Sequence, residues 1–334
     1  MTTVTTRAVT WMAFGEPLRI EELPAPRVEL EHDLVIQVHA AHFGSALRRA
    51  VNVGHPKITP PRVLGSLVAG VVRDAGSDAP ARRGDRVVVD PHPPCGNCKE
   101  CVRGLQAVCR STALPEPGGL SELVRVRTTS AAIAVVPSHL SFAEAVHAEL
   151  LACVIEALER GGVRAGKEVI VIGSGALAFL AVQASRVAGA QSVTSLSRRP
   201  ERAAIAARLG ARVLTTPADA RRADIVLEMS GDPAALMTAF ELAAPGARIV
   251  AFSGYPPGSV VEMPVNQLHY EGLSLLGSYH YAPGRFATAL ALLASGEVTL
   301  NGILTHRLSL ADAVRAPEIS ADPDCVSLVI EPHL

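Results

Sequence analysis

Four cysteines stand close together on a segment rich in proline and glycine, with the spacing C-x2-C-x2-C-x7-C. They are Cys95, Cys98, Cys101 and Cys109. Gly96 permits the tight turn that brings several sulfurs to one ion. Four thiolates leave no open coordination position, so the spacing predicts one closed, tetrahedral, structural zinc site per chain. An iron–sulfur cluster and four unrelated thiols are the alternatives.

A second cluster of chemically useful residues is glycine-rich. An apolar run, 169–172, leads into a G-x-G-x-x-A pattern that opens a helical stretch. Gly173 allows the tight turn, Gly175 lets a pyrophosphate approach the backbone, and Ala178 allows close packing of helix on strand. The pattern predicts a dinucleotide site. The contacts expected from the loop itself are Gly173, Ser174, Gly175, Ala176 and Leu177.

The end of the next β-rich run indicates which dinucleotide is bound. An NAD-preferring fold places an acidic residue there against the ribose 2′-hydroxyl, but the sequence has no Asp or Glu between Gly173 and Pro200. It has Ser197, Arg198 and Arg199 instead. A serine hydroxyl and two guanidinium groups suit a 2′-phosphate, which predicts NADPH rather than NADH. Alternatively, the two arginines form only a solvated entry to a helix.

These residues need elements to position them. From Lys167 onward, apolar runs alternate with helical stretches, which predicts βαβ units and a parallel sheet. The first 150 residues hold short β-rich runs separated by Pro and Gly. We therefore expect an α/β protein with a β-rich domain over 1–148 and 283–334, carrying a zinc lobe at about 92–112. A nucleotide domain of doubly wound parallel sheet is expected over 149–282.

Composition limits the function further. The chain has 334 residues, of which 49% are hydrophobic and 19% charged, and its formal net charge is −1. These values disfavour nucleic-acid binding and disorder, and they favour a small-molecule substrate. The sequence has no run of about 18 apolar residues, the length that would span a membrane. The amino terminus lacks the apolar core of a secretory signal peptide. We expect a cytoplasmic protein whose six cysteines are not a disulfide framework.

Several motifs together resemble the zinc-containing medium-chain dehydrogenase/reductase superfamily. Besides the cysteine cluster and the glycine motif, they are 118–122 (Gly-Gly-Leu-Ser-Glu), 148–152 (Ala-Glu-Leu-Leu-Ala) and 227–231 (Leu-Glu-Met-Ser-Gly). The branch it resembles most is that of polyol, threonine and aminocyclitol dehydrogenases. The resemblance implies a GroES-like catalytic domain, a Rossmann domain, an active site in the cleft between them, and a homodimer or homotetramer.

The sequence departs from this family at the catalytic zinc. The family's Cys-Gly-Ser-Asp motif corresponds to Phe43-Gly44-Ser45-Ala46, and its Gly-His-Glu motif to Gly65-Ser66-Leu67. Only Glu149, and Cys153 nearby, remain from the third-ligand region. Since a catalytic zinc needs about three protein ligands, we expect it to be lost. The alternative is a rebuilt site that uses His42, His55 or His147.

Without zinc, other groups must stabilise the oxyanion and supply the proton. Ser45 stands where the family keeps a hydroxyl relay. Arg48 stands where a relay histidine often sits, and it is an electrostatic donor or a cofactor anchor, or else a surface arginine. Glu149 is an acid or base, or a packing remnant. The run Tyr279, His280 and Tyr281 offers a donor, or packs in the core or an interface.

Three functions fit these observations. The first is NADPH-dependent, zinc-independent reduction of a carbonyl on a sugar, aminosugar, cyclitol or secondary-metabolite substrate. The second is 1,4-reduction of a conjugated alkene or reduction of an imine, because such substrates accept hydride without a Lewis acid. The third is a non-catalytic NADPH-binding partner protein.

Overall fold

The computed structural model describes residues 4–55, 58–110, 118–128 and 132–334. The last two positions of the expected zinc lobe, 111 and 112, lie outside these ranges. The chain divides into two compact units. The first is Met1–Glu149 with Leu300–Leu334, and the second is Leu150–Thr299.

The elements are as follows. The strands are β1 (Thr5–Trp11), β2 (Arg19–Pro24), β3 (Asp33–His42), β4 (Arg62–Val63), β5 (Val68–Ala75), β6 (Arg86–Asp90), β7 (Leu123–Arg127), β8 (Ala132–Val135), β9 (Glu168–Ile172), β10 (Ser192–Leu196), β11 (Arg212–Leu214), β12 (Ala223–Glu228), β13 (Ala243–Ala251), β14 (Ser274–Gly277), β15 (Leu304–Leu308) and β16 (Ser327–Ile330). The helices are α1 (Ser45–Val53), α2 (Lys99–Val102), α3 (Phe142–Ala145), α4 (Ala148–Gly161), α5 (Ala176–Val187), α6 (Pro200–Arg208), α7 (Pro233–Glu241), α8 (Val265–Tyr270), α9 (Arg285–Ser295) and α10 (Ala316–Ile319).

The first unit is built from two β-sheets. A small sheet has the order β2-β1-β4, and a larger one has the order β15-β16-β3-β5-β6-β8, with β7 also paired to β3. Alternating apolar residues of the central strand β3 point into a core that holds Trp11, Ile36 and Phe43, each at most 2% exposed. The carboxyl-terminal strand β16 pairs antiparallel with β3, so the end of the chain completes this unit.

The second unit is a parallel sheet with the strand order β11-β10-β9-β12-β13-β14. Numbered along the chain, this is the 3-2-1-4-5-6 order of a dinucleotide-binding fold. The order reverses between β9 and β12, so a crevice opens at the carboxyl ends of these strands. The core residues Ile170, Val226 and Ile249 are nearly inaccessible, as expected for strands covered on both faces. The α/β fold class predicted from the sequence is confirmed.

The units end at slightly different places from those predicted. The helix α9, which the sequence analysis grouped with the first domain, lies in the second unit. Phe286 of α9 packs against Tyr281, and Arg285 forms an ion pair with Glu156 of α4. These contacts hold α9 to the nucleotide unit. Within the described ranges, none of the helices is both long enough and apolar enough to cross a bilayer.

Candidate functional site

The four predicted cysteines converge on one point. Sγ–Sγ distances are 3.9 Å for Cys95–Cys101, 3.9 Å for Cys98–Cys109 and 3.6 Å for Cys95–Cys109. All four sulfurs lie within 4.8 Å of one another. A tetrahedral ion with Zn–S bonds of about 2.3 Å requires sulfurs about 3.8 Å apart. The geometry therefore fits a closed zinc site.

The local backbone prepares the zinc ligands. Gly96 has φ +76°, a left-handed conformation that favours glycine and reverses the chain between the first two cysteines. Backbone N–H groups of Asn97 and Cys98 stabilise the Cys95 thiolate and lower its pKa to about 6. Burial acts the other way at Cys101 and raises the pKa of its thiol to about 12. A divalent cation is needed to hold all four groups as thiolates.

The glycine motif lies at the crevice of the second unit. Gly173 follows β9 with φ +135°, and a Cβ there would come 3.1 Å from the carbonyl carbon of Met229. Gly175 begins α5, and a Cβ there would meet nothing within 4 Å. In the described part of the chain no side chain caps α5. Its first-turn N–H groups and the space above Gly175 thus fit a pyrophosphate.

The residues expected to read the ribose follow β10. Ser197 is only 1% exposed, and its hydroxyl lies 3.5 Å from the carbonyl oxygen of Arg199. Arg198 and Arg199 are exposed at the same edge of the sheet. Nη2 of Arg198 lies 3.7 Å from Oδ2 of Asp232, a residue that the sequence analysis did not select. A guanidinium group and a carboxylate therefore meet beside the predicted 2′-phosphate position.

A buried carboxylate organises the loop that follows β12. Glu228 is inaccessible to solvent. Its Oε1 accepts two hydrogen bonds from Ser230, one from the backbone N–H at 2.7 Å and one from the hydroxyl at 2.5 Å. It accepts a third from the Gly231 backbone N–H at 3.2 Å. Its Oε2 accepts one from the Tyr255 hydroxyl at 2.6 Å. Burial and this carboxylate raise the pKa of Tyr255. The loop beside Gly173 is thus fixed by a satisfied network.

The positions that match the family's catalytic zinc ligands hold other chemistry. Phe43 is 2% exposed and belongs to the apolar core of the first unit. Ser66 and Leu67 are partly buried, and Leu67 accepts a hydrogen bond at its carbonyl from the His42 backbone. An aromatic ring in the core and an aliphatic side chain give a metal ion nothing to bind.

Two of the histidines considered for a rebuilt site are engaged with each other through a serine. The Ser327 hydroxyl lies 2.7 Å from Nε2 of His147 and 3.1 Å from Nε2 of His42. Nδ1 of His147 is 2.9 Å from the carbonyl oxygen of Ala143, so that nitrogen donates and Nε2 accepts from Ser327. Burial lowers the pKa of both imidazoles, that of His147 to about 4. They form a neutral network in the core; the third histidine, His55, lies just after α1 and is partly buried.

Glu149 has a partner that the sequence analysis missed. Oε1 of Glu149 lies 3.8 Å from Nε2 of His92, and both side chains are largely buried, with 13% and 17% exposed. His92 follows β6, and its backbone N–H donates to Oδ1 of Asp90. In the sequence, His92 is marked only by its place three residues before Cys95, the first zinc cysteine. The pair can hold and transfer a proton, because a carboxylate stabilises an adjacent imidazolium.

The other predicted catalytic residues lie in different surroundings. Ser45 is exposed at the first position of α1, while Arg48 of the same helix donates from Nη1 to the carbonyl of Ser320 at 2.6 Å. In the second unit, Tyr279 is 52% exposed and lies against the His280 ring at 4.0 Å between centroids. Tyr281 is buried.

Comparisons with known proteins identify the family of the chain. Residues 176–295 match the family model of the zinc-binding dehydrogenase, and residues 31–138 match that of the alcohol dehydrogenase GroES-like domain. The chain is 28% identical over 344 residues to an L-threonine 3-dehydrogenase of Bacillus velezensis, covering 96% of each chain. It is 25% identical over 337 residues to a sorbitol dehydrogenase of Bacillus subtilis, covering 95% of this chain and 94% of that one.

The fold is also similar to that of a solved structure. A protein of Sinorhizobium meliloti, described as a zinc-binding dehydrogenase bound to NADP, superimposes with a TM-score of 0.91 at 26% identity. The alignment covers 98% of this chain and all of the other. The fold and the two sites thus define a nucleotide-dependent oxidoreductase. The chain belongs to the zinc-type medium-chain dehydrogenase/reductase superfamily, as the sequence motifs indicated.

Proposed function

We propose that this protein is an NADPH-dependent reductase that acts on the carbonyl group of a small polar substrate without a catalytic zinc ion. The substrate is of sugar, aminosugar, cyclitol or secondary-metabolite type, in keeping with the polyol and threonine dehydrogenases that the chain resembles. The observation that carries the proposal is Phe43. Its ring lies in the core at the position where the family has a thiolate ligand.

NADPH is supported by two observations beyond the structure of the relative bound to NADP. The glycine loop has room for a pyrophosphate at Gly175, and Arg198 and Arg199 are exposed at the end of β10. Guanidinium groups are suited to bind a phosphate through paired hydrogen bonds. When bound, the nicotinamide supplies the hydride.

The protein's own groups supply the proton. Hydride addition turns the carbonyl oxygen into an alkoxide, and one proton must reach that oxygen to complete the alcohol. We assign the proton to His92, whose Nε2 lies 3.8 Å from Oε1 of Glu149. Ser45 is the proposed hydrogen-bond donor to the oxygen, and Tyr279 and His280 are the other candidate donors. We give Arg48 a structural role because its guanidinium is already bound to Ser320.

Zinc stoichiometry tests the absence of the catalytic metal. Protein purified without added metal should hold one zinc ion per chain by elemental analysis and native mass spectrometry. Two ions per chain would overturn the zinc-free mechanism and return the search to a rebuilt site.

Turnover tests the reaction. NADPH oxidation is measured with ketoses, inososes and amino-ketones against a panel of enones and cyclic imines. Turnover confined to the carbonyl compounds supports the proposal, whereas turnover confined to enones or imines replaces it with the alternative chemistry. Tight NADPH binding with no turnover on either panel would favour a binding protein.

Variants test the proton donor. Glu149→Gln and His92→Asn should each lower kcat about 100-fold, which is within the usual contribution of acid–base catalysis, with the Kd for NADPH unchanged. His139→Asn, at an exposed histidine of the same unit, is the matched control. An unchanged kcat in both variants would exclude the pair from the reaction.

A further inference from the structure

A carboxylate stands next to the arginine that is proposed to bind the 2′-phosphate. Oδ2 of Asp232 lies 3.7 Å from Nη2 of Arg198, and the two side chains are 40% and 81% exposed. The carboxylate comes from the loop after β12 and not from the end of β10. The sequence between Gly173 and Pro200 therefore does not reveal it.

The sheet brings the two residues together. Leu196 at the end of β10 pairs with Ile172, and Ile172 pairs with Glu228 at the end of β12. Because these strands are parallel, the residues that follow them leave the sheet at one edge. Arg198 and Asp232 both lie at the edge where the nucleotide crevice opens.

Asp232 is held in a defined orientation. Its Oδ1 accepts a hydrogen bond from the Ala234 backbone at 3.0 Å and so caps helix α7. Its own N–H donates to the Ser230 hydroxyl at 3.1 Å, and Ser230 is in turn bound to the buried carboxylate of Glu228. The second oxygen, Oδ2, is the one directed toward Arg198. The carboxylate is thus fixed on one side and faces the guanidinium on the other.

We propose that Asp232 is an internal counterion of Arg198 that competes with the 2′-phosphate of NADPH and so limits the preference of this protein for NADPH over NADH. The inference rests on the proposed NADPH-dependent function. When the phosphate binds, Arg198 exchanges one anionic partner for another. The carboxylate, still held by α7, then repels the phosphate across a distance shorter than the Debye length of about 8 Å at physiological ionic strength.

The expected effect is modest and has a definite sign. A carboxylate within a Debye length of a phosphate that carries between one and two charges, in an exposed and screened site, weakens binding about threefold to fivefold. NADH has no phosphate at this position, so its affinity should not depend on this charge. Removing the charge therefore raises the preference for NADPH and leaves NADH binding unchanged.

The test uses Asp232→Asn. Asparagine caps helices as well as aspartate does, so α7 keeps its first hydrogen bond while the charge is lost. The matched control is Glu241→Gln, which removes one exposed negative charge at the other end of α7. The Kd for NADPH and for NADH is measured by fluorescence titration of the whole protein without substrate, at low and at high salt.

The expected result is a Kd for NADPH about threefold to fivefold lower in D232N, an unchanged Kd for NADH, and no effect of E241Q. High salt should shrink the difference. An NADPH affinity that is unchanged or weaker in D232N would overturn the inference. The variant Arg198→Ala distinguishes failure of the Asp232 inference from failure of the proposed NADPH dependence. If the wild type prefers NADPH and R198A loses that preference, the cofactor assignment stands whatever D232N shows; if the wild type has no preference and R198A changes neither affinity, the assignment itself fails.

Discussion

Replacing His147 with glutamine should flatten the pH dependence of the stability of the first unit. The folded His147 has a pKa of about 4 because it is buried, whereas an unfolded histidine titrates near 6.5. Between these values unfolding takes up a proton, so the free energy of unfolding falls as the pH falls. The stabilisation is complete above pH 6.5 and is lost progressively toward pH 4.

The magnitude follows from the shift. One pKa unit corresponds to about 1.4 kcal/mol, so the difference between 6.5 and about 4 is worth on the order of 3 kcal/mol of unfolding free energy. Burial also lowers the pKa of His42, whose ring lies 5.1 Å from that of His147, so its contribution has the same sign. Glutamine at position 147 cannot be protonated in this range, so H147Q removes the contribution of His147 to the pH dependence.

The chain offers a convenient probe for this measurement. Trp11 is the only tryptophan, and it lies in the core of the same unit as His147. Urea unfolding followed by Trp11 fluorescence between about pH 7 and pH 4.5 gives the free energy at each pH. The exposed-residue control is His139→Gln. Acid release of zinc affects all three proteins alike, so it cancels in the differences. If H147Q and the wild type lost stability with the same slope, the buried neutral imidazole would not be the cause.

The other predictions concern the zinc and nucleotide sites. Cys101→Ser should lower the zinc content from one ion per chain toward zero and lower the Tm, whereas Cys325→Ser should leave the zinc content unchanged, as read by elemental analysis and calorimetry. Gly175→Ala should weaken NADPH binding at least about tenfold in a fluorescence titration while leaving the Tm of the free protein unchanged, since a Cβ there meets no protein atom within 4 Å. Gly173→Ala should lower that Tm as well, because φ is +135° and its Cβ would approach the Met229 backbone; equal Tm values for the two glycine variants would contradict this reasoning. Tyr255→Phe should destabilise the second unit by about 1–3 kcal/mol in urea unfolding, because the buried carboxylate it bonds loses a donor; an unchanged midpoint would show that water replaces the hydroxyl.

Local patterns predicted most of the fold and the parts of the site that lie within one stretch of chain. The cysteine spacing located the zinc site. The apolar run 169–172 lies within β9, and the helical stretch that the glycine motif opens is α5. The short strand β11 has too few residues for periodicity to mark it as a strand. The start of helix α4 coincides with the motif at 148–152, which was interpreted as a ligand region and not as a helix.

Contacts between distant residues could not be predicted. Ser327 joins His42 and His147 although it is far from both in the sequence, and only the pairing of β16 with β3 brings it there. The same holds for His92 beside Glu149. A sequence pattern reports the spacing along one strand or helix, whereas these contacts depend on which strands become neighbours.

The residues at the positions that match the family's catalytic zinc ligands are best understood together. A lone thiolate in the apolar core would be an unpaired buried charge, which costs several kcal/mol. Phe43 instead buries an aromatic side chain, worth roughly 1.5–3 kcal/mol of transfer free energy. Phe43→Cys alone would therefore create a cavity and not a metal site, because Ser66 and Leu67 still provide no further ligand.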